Sequence, residues 1–205
     1  MSARRGRLIA LEGGEASGKS TQARVLAASL GALLTHEPGG TEIGRRIRAV
    51  VLAPDLGDLD ARAEALLMAA DRAQHVAEVV EPALARGTDV VTDRFAGSSL
   101  AYQGFGRGLD VEDVRRLSTW AAGGLEADLV VLLEVPLDIA ARRRTAADDR
   151  MEAEGAAFHA RVADGYRALA VAQPDRWVVV DGDGPPGDVA ERVSKVVAGH
   201  LGTRA

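Results

Sequence analysis

The sequence contains no cysteine among its 205 residues. This absence excludes disulfides, thiolate metal sites and cysteine nucleophiles, and it is typical of a cytosolic enzyme, so we expect a cytoplasmic protein. The sequence also lacks an excess of positive charge, since it has 25 lysines and arginines but 30 aspartates and glutamates. The net charge of −5 argues against a nucleic acid or a membrane surface as the main partner, because polyanions repel an acidic protein. The apolar run at residues 8–11 is too short for a signal peptide or a membrane span.

Short apolar runs alternate with helical patterns along the chain. We predict strands at residues 7–12, 32–35, 89–92, 129–135 and 177–180, and helical segments at residues 19–30, 41–52, 61–86 and 188–201. Strands that alternate with helices favour a parallel sheet covered on both faces. Without a repeat, a low-complexity tract or a linker, residues 1–205 are predicted to form one three-layer α/β domain around a five-stranded parallel sheet.

The pattern G-x-x-x-x-G-K-[ST] occurs at residues 13–20, between a predicted strand and a predicted helix. That context is the one a phosphate-binding loop (P-loop) needs, because its N–H groups converge on phosphate oxygens at the positive end of a helix. Lys19 would contact the β- and γ-phosphates and Ser20 would contact Mg²⁺. We expect the nucleoside triphosphate to contact Gly13, Gly14, Glu15, Ala16, Ser17, Gly18, Lys19, Ser20 and Thr21. The loop identifies a nucleoside triphosphate but not a reaction, since switches, motors and kinases all share it.

Polar side chains follow the predicted strand at residues 89–92. Asp93 would hold the water shell of Mg²⁺, although a helix N-cap is the simpler alternative for an aspartate at a strand end. Arg94 would neutralise a second phosphate. Ser99 and Gln103, four residues apart, would share a face of a helix and hydrogen-bond a small planar ligand. This combination suits a nucleobase better than a second protein.

Five segments together resemble the thymidylate kinase family: EGGEASGKSTQ, EPGGT, LLMAADRAQ, DRFAGSSLAYQG and DDRMEAE, which span residues 12–154. The resemblance implies a P-loop kinase that moves the γ-phosphoryl group of ATP to dTMP with Mg²⁺, and it implies a homodimer. A kinase for another nucleoside monophosphate, such as dUMP, is the nearest alternative. A switch that hydrolyses ATP slowly is the alternative from another class of protein.

The resemblance also implies roles for individual residues at the sugar, the phosphate and the metal. Glu15 matches the position that contacts the 3′-hydroxyl of dTMP. Arg48 and Arg94 match positions that hold the dTMP phosphate. Asp93 matches the aspartate associated with Mg²⁺, beside Ser20 of the P-loop.

Four further residues match positions around the thymine base. Arg72 matches the arginine that bonds the ring, and Ser99 and Gln103 match positions at its edge. Met68 stands where family members commonly have a phenylalanine that stacks on thymine, so it is either a base contact or a core residue. His75, on the same predicted helix as Arg72, is expected to be a surface or packing residue.

The P-loop of this chain cannot supply a catalytic arginine, because Ala16 occupies the position where some family members have one. We therefore expect the arginine to come from a lid at about residues 142–155, RRRTAADDRMEAEG. Arg150 matches the lid arginine of the family best, and the three arginines that open the segment are secondary candidates. A solvated helix face with internal ion pairs is the alternative for such a run. The predicted catalytic residues are thus Lys19, Arg94 and Arg150.

Overall fold

The computed structural model describes residues 4–55, 57–143 and 149–202. Its strands are β1 Leu8–Glu12, β2 Leu33–His36, β3 Val90–Asp93, β4 Leu129–Glu134 and β5 Trp177–Asp181. They form one parallel sheet in the order β2-β3-β1-β4-β5. The order places β1 at the centre, and all five residues of this strand are buried. The predicted five-stranded parallel sheet is therefore confirmed, with strand ends within one residue of the expected positions.

Helices cover both faces of this sheet. They are α1 Lys19–Leu30, α2 Glu42–Val51, α3 Ala61–His75, α4 Glu81–Ala85, α5 Ala96–Ser99, α6 Val111–Ala121, α7 Leu137–Arg143, α8 Ala156–Ala172 and α9 Pro186–Gly202. Alternate residues of β1 enter two separate cores, with Leu8 and Ala10 on one face and Ile9 and Leu11 on the other. No helix in the described ranges is long and apolar enough to cross a membrane.

The sequence predicts a helical region at residues 61–86 that Pro82 bends or splits, and in the structure this region is split. It consists of α3, a π-helical stretch Val76–Val80 and α4. Pro82 lies in the first turn of α4. Proline lacks the N–H that would continue the bonding pattern of the preceding turns, which accounts for a change of helical register just before it. A second π-helical stretch, Leu100–Gly106, follows α5 directly.

The carboxyl ends of the central strands meet at one edge of the sheet. Leu11 of β1 is in register with Asp93 of β3, and Glu12 is in register with Leu132 of β4. The loops that follow these strands therefore lie side by side, which is where ligands bind in open parallel sheets.

Candidate active site

The P-loop connects β1 to α1 through a backbone that requires glycine at two points. Gly13 has a φ of 144°, and a Cβ atom there would lie 2.5 Å from the carbonyl oxygen of Leu133. Gly18 has a φ of 93° and forms the N-cap of α1. Neither conformation is open to an ordinary L residue, so the glycines allow the loop to turn and to present N–H groups at the helix N-terminus.

Lys19 is buried at the start of α1 and is held by the P-loop itself. Its Nζ donates to the carbonyl oxygen of Gly14 at 2.6 Å and to the hydroxyl of Ser17 at 3.3 Å. Burial, followed by the charge of Arg94, lowers the pKa of Lys19 to about 8. The ammonium group is therefore poorly solvated, which makes it a receptive partner for an anionic ligand.

A cleft of about 640 Å³ opens at this edge of the sheet. Most of the predicted site residues line it: Glu15, Ala16, Gly18, Lys19, Ser20, Thr21, Arg48, Met68, Arg72, Asp93, Arg94, Ser99 and Gln103. Four predicted residues are outside that lining: Gly13, Gly14, Ser17 and Arg150. The P-loop and the residues predicted to contact a base thus share one cavity, which is large enough for small-molecule ligands.

Ser20 and Asp93 meet at the P-loop end of the cleft. The Ser20 hydroxyl donates to Oδ2 of Asp93 at 2.5 Å. The two residues present a hydroxyl and a carboxylate oxygen, which are hard ligands suited to Mg²⁺. No cluster of three or more His, Asp or Glu that could hold a metal occurs within residues 4–55, 57–143 and 149–202.

Arg94 lines the cleft and has a strained backbone conformation. Its φ of 71° lies in the left-handed region, which is uncommon for a residue with a side chain and recurs at functional sites. Its guanidinium pairs with Glu15 and donates to the carbonyl oxygen of Gly13 at 3.1 Å. Although burial alone would raise the pKa of Glu15, the charges of Arg94 and Lys19 lower it to about 2. Glu15 is therefore a carboxylate whose oxygens accept hydrogen bonds.

Arg72, which also lines the cleft, is held by three side chains. Its guanidinium donates to Glu37 at 2.9 Å, to the Ser118 hydroxyl at 3.1 Å and to the Ser99 hydroxyl at 3.1 Å. The side chain is 3% exposed and lies 5.3 Å from the centre of the Phe95 ring. Its orientation is therefore set by the protein.

The sequence predicts that His75 is a surface or packing residue, but in the structure it is buried and has two polar side-chain contacts. It is fully buried, its Nδ1 lies 2.9 Å from Oε1 of Glu37, and its Nε2 lies 2.6 Å from the Thr35 hydroxyl. A chain of polar contacts thus runs from β2 through His75 and Glu37 to Arg72. The three-residue spacing of Arg72 and His75 on one helix face was the available signal.

Glu12 is a second buried residue that sequence reasoning missed. Its carboxyl group accepts from the backbone N–H groups of Phe95 and Ser98, each at 3.0 Å, and from the hydroxyls of Ser98 at 2.6 Å and Tyr166 at 3.2 Å. Burial raises the pKa of Glu12 against the effect of these hydrogen bonds. The residue fixes the backbone just after Arg94, so it supports the position of that arginine.

The predicted lid residues occupy two different places. Arg150 pairs with Glu64, and its Nε donates to the carbonyl oxygen of Val51 at 2.8 Å. Arg143 does line the cleft, and it donates to the carbonyl oxygen of Gly182 at 3.0 Å. Arg144, another of the secondary candidates, lies outside the described residues.

Comparison with known proteins decides the family. A family model described as thymidylate kinase matches residues 11–193. The chain belongs to the thymidylate kinase family. A thymidylate kinase from Leifsonia xyli subsp. xyli is 50% identical over 198 residues, covering 93% of each chain. One from Desulfovibrio desulfuricans is 45% identical over 210 residues, covering 96% of this chain and 97% of the relative.

A solved structure of thymidylate kinase from Ehrlichia chaffeensis has the same fold. It superposes with a TM-score of 0.79 at 28% identity, covering 94% of this chain and 99% of that one. The predictions of family, P-loop kinase fold and enzyme class are therefore confirmed. As a member of the thymidylate kinase family, the chain is a nucleoside monophosphate kinase, and the family implies ATP as its phosphoryl donor.

Proposed function

We propose that this chain transfers the γ-phosphoryl group of ATP to dTMP, giving dTDP and ADP, within the cleft described above. One observation supports this assignment most directly: the P-loop lysine and the buried Arg72 line the same cavity. Phosphoryl transfer requires two substrates in line and positive charge around the moving group. A single cleft with a phosphate-binding end and a base-binding end meets the first requirement, and its lysine and arginines meet the second.

ATP would bind at the P-loop end. The N–H groups at the start of α1 and the Lys19 ammonium face the β- and γ-phosphates, whose charge favours protonated lysine. Ser20 and Asp93 would hold Mg²⁺, because their adjacent oxygens suit that cation. When bound, Mg²⁺ neutralises charge on the phosphate oxygens.

The phosphate and the sugar of dTMP would lie between Arg48 and Arg94. Arg94 already donates to the P-loop carbonyl of Gly13, so an acceptor phosphate at Arg94 would be next to the donor. Glu15, which pairs with Arg94, would accept a hydrogen bond from the sugar 3′-hydroxyl.

The thymine base would lie at the far end of the cleft. Arg72 would donate to a carbonyl oxygen of the ring, and its three protein partners hold it in place before the base arrives. Ser99 and Gln103 would contact the edge of the ring. Met68, which lines the cleft, would pack on its face through the soft thioether.

Arg150 is proposed as the catalytic arginine together with Lys19 and Arg94. In the structure its guanidinium is engaged with Glu64 and with the carbonyl oxygen of Val51. It must leave these partners to reach the transferring phosphoryl group, as expected for an arginine on a lid at about residues 142–155 within a single domain.

Exposed apolar side chains support the proposal of a homodimer. Helices α2, α3 and α6 carry Ile43, Val50, Leu66 and Trp120, which are 43–80% exposed. Large apolar side chains on neighbouring helices are typical of a surface that is covered in an assembly. We also propose that the protein is located in the cytoplasm.

The proposed function is tested by incubating the protein with ATP and each candidate acceptor and separating the products by chromatography. We expect dTDP to form from dTMP, with kcat/KM higher for dTMP than for dUMP, dCMP or AMP. A higher value for another monophosphate would identify a different acceptor. Loss of ATP without dTDP would instead indicate a nucleotide-dependent switch.

A further inference from the structure

Glu64 is a buried carboxylate near the start of α3 that binds three side chains from other parts of the chain. It accepts from Nε2 of Gln103 at 2.9 Å and from Nε of Arg107 at 3.2 Å, and it pairs with Arg150. Its side chain is 0% exposed. Burial raises the pKa of Glu64, but the hydrogen bonds from Arg107, Gln103 and Arg150 together hold it below its ordinary value. Glu64 is therefore an anion in the folded protein.

An ionised carboxylate accepts hydrogen bonds and cannot donate them. Of the two ends of the Gln103 amide, only the NH₂ group can therefore face Glu64. Turning the amide over would bring its oxygen against the carboxylate and would remove a buried hydrogen bond, both of which are unfavourable. Gln103 is 1% exposed and lines the cleft, so the amide has little freedom to adopt another position.

Because one N–H of Nε2 donates to Glu64, the Gln103 amide keeps Oε1 as an acceptor and the second N–H of Nε2 as a donor for a ligand in the cleft. Thymine presents the complementary pattern at its pairing edge, with the N3–H donor next to carbonyl oxygens. Cytosine presents the reverse pattern there, with N3 as an acceptor next to an amino group. Uracil has the same edge as thymine and differs only by the 5-methyl group. To hydrogen-bond cytosine at N3 and its amino group, the Gln103 amide would have to turn over and point its oxygen at Glu64, which is the orientation that the carboxylate disfavours.

We propose that Glu64 is a positioning residue that selects the base by fixing the orientation of the Gln103 amide. The inference rests on the proposed function, in which Gln103 contacts the base of the acceptor nucleotide. Glu64 itself does not touch the substrate. Its contribution is to make one of the two amide orientations unavailable, so that an acceptor oxygen meets a ring N–H.

The test is the Glu64→Gln substitution, which keeps the shape of the side chain but lets position 64 either donate or accept. Dissociation constants for dTMP, dUMP and dCMP are measured by calorimetry, with dCMP measured by displacement of dTMP. The preference for dTMP over dCMP is expected to fall by about tenfold or more, because the amide can now turn over. The preference for dTMP over dUMP should change by less than about twofold, since the two bases share that edge.

Glu154→Gln is the matched control. Glu154 also pairs with Arg107, but it is the outer carboxylate, 29% exposed. This substitution removes a carboxylate at the same arginine while Glu64 keeps its bond to Gln103. It is expected to leave both preferences unchanged.

An unchanged preference for dTMP over dCMP in Glu64→Gln, whether or not all three nucleotides bind more weakly, would overturn the proposal. If this variant does not fold, a neutron diffraction structure of the unaltered protein with dTMP decides the question, because neutrons locate the amide deuterium atoms. Nε2 of Gln103 within hydrogen-bond distance of Glu64, with Oε1 toward N3 of thymine, would support the proposal, and the reversed amide would overturn it. Failure of the unaltered protein to bind dTMP would contradict the proposed function instead.

Discussion

Replacing Arg72 with alanine tests two proposals at once: that this residue binds thymine, and that its buried ion pair stabilises the fold. The guanidinium is 3% exposed and pairs with Glu37, which is itself 4% exposed. Removing it leaves a buried carboxylate without its cation, which typically costs about 3–5 kcal/mol of folding free energy. The same change removes the proposed charged hydrogen-bond donor to thymine, worth about 1.5–3 kcal/mol, so dTMP affinity should fall about tenfold to 150-fold.

Urea denaturation and calorimetry measure the two effects separately. The double variant Arg72→Ala/Glu37→Gln should recover part of the lost stability, because the unpaired charge is gone, but should recover none of the dTMP affinity. ATP affinity should stay within about twofold in both variants, because ATP is expected at the P-loop end. Arg116→Ala is the control, since Arg116 is 69% exposed in its pair with Asp113 and should contribute less than about 1 kcal/mol.

A loss of less than about 1 kcal/mol of stability in Arg72→Ala would refute the reasoning about the buried pair. An equal loss of dTMP and ATP affinity in a folded variant would show that the base site is wrongly placed.

Two further predictions concern the phosphate end of the cleft. Arg150→Ala should lower kcat by about 10³-fold or more while changing the KM for dTMP far less, and steady-state kinetics with kcat within about twofold of the unaltered protein would rule out the lid assignment. The Lys19 ammonium, with a pKa of about 8, should lose its proton more readily in the free protein than in the ATP complex, where phosphates raise that pKa. ATP affinity should therefore decline as the pH rises above about 8, and in Lys19→Arg this decline should disappear; an affinity independent of pH from 7 to 10 in the unaltered protein would contradict this role for Lys19.

The sheet and the P-loop were predictable because their signals are local. The first four residues of strand β1, Leu8 to Leu11, are buried and apolar and therefore read as a continuous apolar run, and the glycines that follow Glu12 mark the end of the strand. The division of the helical region at residues 61–86 was harder to predict from the sequence, because Pro82 permits either a bend or a break. The outcome depends on how the helix packs against the sheet.

Buried polar residues mark the limit of prediction for the site. The role of each missed residue depends on a hydrogen-bond partner that is distant along the chain. These partners are Ser98 for Glu12, Gln103 for Glu64 and Glu37 for His75. A charged or polar residue within a helical or strand pattern has the same local signal whether it faces solvent or a buried donor. The residues predicted to touch substrates belong to recognisable motifs, whereas those that orient them are identified only by tertiary contact.

The central claim is that ATP and dTMP bind end to end in one cleft. A bisubstrate compound, thymidine and adenosine joined through their 5′-oxygens by five phosphates, tests it most directly by steady-state inhibition. Because such a compound would occupy both ends at once, it should compete with ATP and also with dTMP, and it should bind more tightly than either substrate alone. Competition with only one of the two nucleotides would contradict a shared cleft.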